Sequence, residues 1–116
     1  MTKDQLKIEI TDNQDKVVGT YIINRQTIGS NARRLSLMQP FIDDAEMDDF
    51  TKNAYFSAAA LAPVLANAKG EIAYAGKDAI EQIMNDMNPE VFTLLCQHYN
   101  EINPLTEGLK AKKKKS

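Results

Sequence analysis

Phe50 to Ala66, FTKNAYFSAAALAPVLA, is the stretch that decides the fold class. Phe50, Ala54, Ala58, Leu61 and Leu65 recur at helical spacing as one apolar stripe. Tyr55, Ala59, Ala62 and Ala66 make a second stripe beside it, so little polar face remains after Asn53. A helix that is apolar almost all round belongs in the middle of a packed domain. Its alanines let neighbouring helices come close and lose no side-chain entropy. Pro63 lacks an N–H and crowds the carbonyl of Ala59, which predicts a kink there or a helix ending just before it. The run is too short and too interrupted to span a membrane. The pattern therefore predicts a core helix over 44–67, with the other segments covering it.

Upstream, Leu6 to Ile10 (LKIEI) alternates apolar and polar residues, the period of a half-buried strand. Thr11 to Lys16 (TDNQDK) is turn chemistry, and Val17 to Asn24 (VVGTYIIN) is β-branched and aromatic, with Gly19 suited to a bulge. This is a β-hairpin over 6–24, whose open edge offers a docking surface. Two strands are marginal alone, so the hairpin packs on the helices or pairs with another chain. Ser30 or Asn31 is suited to cap a short helix over 31–39 that carries Leu35 and Met38 and stops at Pro40. Arg33 and Arg34 read as surface solvation first, with an acidic surface or phosphate as the alternative partner.

Five acidic residues, Asp43, Asp44, Glu46, Asp48 and Asp49, lead into the central helix. They lack the alternating oxygens, glycine and final glutamate of an EF-hand, and aspartates at a helix start cap and charge its N-terminus. Downstream, Gly70 suits a helix C-terminus and Ile72 to Tyr74 a brief extended segment. A helix over 77–87 follows, capped by Asp78 or by the preceding loop, with Ile80, Ile83, Met84 and Met87 on one face. Asn88-Pro89 starts a last helix over 89–102, striped by Val91, Leu94, Leu95, Tyr99 and Ile102 and ended by Asn103-Pro104. The whole is an α+β fold, an N-terminal β-hairpin followed by a mainly α-helical domain of about four helices. One domain over 1–104 and a disordered basic tail over 105–116 are expected.

The net charge of −2 conceals an asymmetry. Lys110 and Lys112 to Lys115 hold five of the fourteen basic residues, so residues 1–109 carry nine basic against sixteen acidic side chains, a formal −7. An acidic body disfavours nucleic acid as a partner. Met1 to Gln5 carries no apolar run, so neither a signal peptide nor a membrane anchor is expected. A single cysteine, Cys96, precludes an internal disulfide and suits a reducing cytoplasm. With one histidine, His98, it cannot make a conventional zinc site, and two positions apart on a helix the pair cannot act as nucleophile and base. No phosphate loop, HExxH or G-x-S-x-G occurs. The reading is no enzyme, no metal and no cofactor, which leaves a binding or assembly protein. A core this small gains from a partner subunit, and a homo-oligomer is one expectation.

The order of parts carries a resemblance. A strand-rich start and an acidic segment feed FTKNAYFSAAALAPVLANAKGE, then come IAYAGKDAIEQIMND, VFTLLCQHYNEINPLTEG and a charged tail. This resembles the tail assembly chaperones of long-tailed bacteriophages and prophages, over residues 50–116 more than over the hairpin, and through element order rather than an invariant motif. The resemblance implies a protein of the host cytoplasm, absent from the mature virion. It would bind the tape measure protein, keep that helix-rich client soluble and help recruit tail tube subunits. It also implies a longer product made by ribosomal frameshifting, for which the Lys112–Lys115 run suggests an A-rich slip site, while a plain solubilising lysine tail explains the run equally well.

A groove for an apolar helical client would read anchors at i, i+3, i+4 and i+7, and Ile83, Met87, Val91 and Leu95 on the last two helices are the candidate lining. Met38, Met47, Met84 and Met87 offer side chains suited to a re-packing surface, and equally to core filling. The same parts also suit another small phage structural or connector protein, or a nucleic-acid module built on Arg33, Arg34 and the lysine tail.

Overall fold

The computed structural model describes residues 4–103, so the expected basic tail over 105–116 lies outside the described residues. The chain begins with β1 (Gln5–Thr11) and β2 (Val17–Asn24), continues through α1 (Ile28–Ile42) and α2 (Asp49–Leu61), makes β3 (Leu65–Asn67), and ends with α3 (Ala79–Asp86) and α4 (Pro89–Ile102). It is the expected α+β arrangement of a hairpin followed by four helices.

β1 and β2 pair antiparallel from Gln5 opposite Asn24 to Ile10 opposite Gly19. The register then shifts so that Thr11 meets Val17, leaving Val18 as the extra residue. The bulge thus falls beside Gly19 rather than on it. Asp12 organises the turn by accepting the N–H groups of Gln14 at 2.8 Å and Lys16 at 3.0 Å, and Asp15 takes the left-handed conformation at φ 60°. Alternation works as read, since Ile8 and Ile10 are buried while Lys7 and Glu9 are exposed.

The central segment departs from the single helix expected over 44–67. α2 stops at Leu61, just before the proline, and Leu65–Asn67 cross back as β3, antiparallel to β2 with Ile23 opposite Leu65. Asn67 accepts the N–H groups of Lys69 and Glu71 through its side chain and turns the chain there, with Gly70 at φ +85° serving this turn and not a helix end. The following strand-like touch is a single bridge from Ile72 to Ala66. Phe50 is also misplaced by the helical reading. It falls in the first turn of α2, ahead of the residues that meet other helices, and is 86% exposed.

α1 begins earlier than expected. Its cap is Thr27, whose hydroxyl accepts the Ser30 N–H at 3.1 Å while the Ser30 hydroxyl accepts the Thr27 N–H at 2.7 Å, a reciprocal capping box. Pro40 lies inside the helix, which runs on to Ile42: proline's φ is helical, so the chain continues for two residues although the Ser36 carbonyl loses its i+4 donor. Asp48 caps α2 and Asn88 caps α4 with Pro89 in the first turn, both as read. Asp78 precedes α3 without a side-chain cap bond.

Two apolar clusters result. Ile8, Ile10, Ile23, Leu61, Val64, Leu65, Leu95 and Ile102 join the sheet to α4 and to the end of α2. Leu37, Ala58, Ala59, Ala62, Ala79, Ile80 and Ile83 join α1, α2 and α3, where four buried alanines permit the close approach. Phe41 and Tyr55 add an edge-on ring contact between α1 and α2, centroids 4.8 Å apart. Tyr74, Met87 and Phe92 pack against both clusters and make them one core.

Candidate functional site

The α3–α4 junction is where the sequence points for client contact, and its geometry follows from a tight turn. Met87 ends α3 in an extended conformation, and Asn88 restarts the chain by accepting the Glu90 N–H at 2.8 Å. The two helices nevertheless serve different clusters, α3 the helical one and α4 the one under the sheet, and only Met87 and Phe92 pack against both. Ile83 is 1% exposed in the α1–α2–α3 cluster, and Leu95 is fully buried against the sheet. Both are core residues whose surface is used up within the chain. Met87 and Val91 are half-buried, and Met87 touches both clusters. Leu94, one turn along α4 from Val91, is 40% exposed and was not among the four candidates. Met38 and Met84 are half-buried against the helical cluster, as core-filling residues are.

A second constellation escapes a reading by motif. At the opposite end of α4, Asn103 bridges the β2–α1 junction, accepting the Gln26 N–H at 2.6 Å and donating to the Asn24 carbonyl at 3.2 Å. The Gln26 side chain donates to the Tyr99 hydroxyl at 2.9 Å and, at the limit of bonding distance, to the Ala60 carbonyl at 3.4 Å, and it accepts the Ser30 hydroxyl. Asn24 in turn donates to the Val64 carbonyl. Four polar residues thereby tie the sheet, the end of α2 and the end of α4 together. Nothing local marks them, since Tyr99 and Asn103 lie 73 and 77 positions from Gln26.

The remaining chemical candidates have structural work. Asp48 accepts the Thr51 N–H at 2.7 Å and its hydroxyl at 3.1 Å, bonds that hold its carboxyl below the usual range. Asp44 accepts the Glu46 N–H. Among the described residues no group of three or more His, Cys, Asp or Glu side chains is placed to hold a metal ion. Burial pushes the Cys96 thiol up to about 11, far from the reactive thiolate of a nucleophile. His98 lies 3.3 Å from Glu101 on the flank of α4. Arg33 reaches the carbonyls of Tyr74 and Gly76, each at 3.4 Å, so it steadies the loop before α3. Arg34 bonds Asn31 on its own helix at 2.8 Å. No helix among the described residues is long and apolar enough to cross a membrane.

No protein-family model matches the sequence, and no curated protein matches it. Among solved structures, the fold matches that of the tail assembly chaperone of bacteriophage HK97, with a TM-score of 0.58. The match covers 84% of this chain and 83% of that chain at 10% identity. The arrangement implied by the resemblance in the sequence is thus the arrangement found, and the likeness is one of fold.

Proposed function

We propose that this chain is a phage tail assembly chaperone that binds the tape measure protein, keeps it soluble and helps recruit tail tube subunits. The observation that carries this reading is the fold shared with the HK97 chaperone over 84% of this chain and 83% of that one. An acidic body supplies the exterior charge that a soluble complex with an apolar client needs. The client face is proposed around the α3–α4 junction, on Met87, Val91 and the exposed Leu94, while Ile83 and Leu95 are buried in the two clusters. The protein acts in the host cytoplasm, leaves before the virion is complete, and is accompanied by a longer frameshifted form.

The test is co-expression with the tape measure protein of the same genome. The client should move from the pellet to the soluble fraction and co-purify with the chain. A client that stays insoluble beside well-folded chain, or a chain found by mass spectrometry in purified particles, would replace this reading with that of a connector or other structural part.

A further inference from the structure

The sheet order is β1-β2-β3, so among the described residues no strand pairs with the outer edge of β1. That edge is seven residues long and carries no proline. Its hydrogen-bonding phase can be read. The Arg25 N–H bonds the Asp4 carbonyl at 2.8 Å, which makes Asp4 and, by alternation, Leu6, Ile8 and Ile10 the residues that exchange bonds with β2. The other side of β2 agrees, since the Asn24 N–H goes to Val64 and even-numbered β2 residues face β3. Gln5, Lys7 and Glu9 therefore point their N–H and C=O groups outward.

We infer that this edge pairs with β1 of a second copy, antiparallel about a two-fold axis at Ile8, to make a continuous six-stranded sheet. The charge pattern selects the occupant and the register. Only pairings of odd with odd residues satisfy the outward groups. Centring on Lys7 would set two ammonium groups opposite each other, and centring on Glu9 two carboxylates. Centring on Ile8 places Lys7 opposite the second copy's Glu9 and the reverse, with Gln5 opposite Thr11. Both charged side chains are exposed, and among the described residues neither has an ion pair or side-chain hydrogen bond of its own. An axis normal to the sheet keeps both copies' Leu6, Ile8 and Ile10 on the same face, which extends the apolar surface of the sheet without a break. This inference is independent of the proposed function.

The experiment is sedimentation of the full chain over a concentration series, with amide hydrogen exchange at each end of the series. A dimer with a dissociation constant on the order of micromolar is expected, given the small area of one strand pair. The Lys7 and Glu9 amides should become protected as concentration rises, while the Ile8 amide is protected throughout. Lys7→Glu and Glu9→Lys should each weaken the dimer roughly ten-fold, since two symmetric pairs turn from attraction to repulsion. The double variant Lys7→Glu/Glu9→Lys should restore it to within about two-fold. Denaturant unfolding of each variant at low concentration separates loss of pairing from loss of fold. A chain that stays monomeric to roughly 100 μM overturns the inference. So does an oligomer indifferent to these charges with the two amides still exchanging, or protection that appears only when a client is added.

Discussion

Asn103 and Gln26 meet at 2.6 Å across 77 positions of sequence, backbone N–H to side-chain oxygen, and this bond fixes the end of α4 to the start of α1. Removing it leaves a half-buried donor unpaired and also strips the Asn24 carbonyl of its side-chain partner. Asn103→Ala should lower the stability to unfolding by about 1–3 kcal/mol in urea titration. Asn100→Ala, on the exposed side of the same helix, should stay within about 0.5 kcal/mol.

Two glycines should respond to alanine in opposite directions. Gly70 has room for a Cβ but holds φ +85°, so Gly70→Ala should cost about 1–2 kcal/mol through backbone strain alone. Gly29 sits in the first turn of α1 with only the Thr27 hydroxyl near its added carbon, at 3.9 Å. Gly29→Ala should raise stability by about 0.4–1 kcal/mol, read as a higher thermal midpoint.

Leu94 and Leu95 are adjacent yet should separate binding from folding. Leu95→Asp places a charge in the core and should abolish the cooperative thermal transition. Leu94→Asp should leave the circular dichroism and melting temperature nearly unchanged while reducing client solubilisation. Normal chaperoning by Leu94→Asp would move the client face away from the α3–α4 junction.

The Cys96 thiol titrates at about 11 in the folded chain, above its value when solvated, because burial disfavours the thiolate. Between the unfolded value near 9 and the folded value, the unfolded state holds fewer protons, so stability falls as pH rises. The contribution is complete below pH 9 and gone above about 11. Cys96→Ala should flatten that alkaline limb, and a thiol reagent at pH 8 should label the native chain far more slowly than the chain in denaturant.

Where the sequence was legible, one residue's chemistry sufficed. Pro63 announced the end of α2, Asn88-Pro89 the start of α4, and the alternation of Ile8 and Ile10 the face of β1. β3 was illegible because a continuous apolar run such as Leu61 to Ala66 suits a buried strand and a buried helix alike. Thr27 is hard to read as the cap because Ser30, three residues on, has cap chemistry of its own, and it completes the box. Phe50 had the right spacing for the core but sits a turn before the neighbours begin. For the four proposed client residues, helical spacing could not tell the buried Ile83 and Leu95 from the half-buried Met87 and Val91, because depth is set by which elements lie across from each one. The polar node around Gln26 needed partners from three elements, which no local window contains.

β3 reaches the sheet late. Asn24 waits 40 positions for Val64, and the node at Gln26 waits until Asn103 is made. A chain emerging from the ribosome therefore carries a hairpin with both edges bare while α1 and α2 are synthesised. The sheet is completed in the middle of translation and latched only at the end of α4. A fragment released after β3 but before α4 would have its strands but neither Leu95 in the core nor the bonds at Gln26, and would be the form most open to proteases.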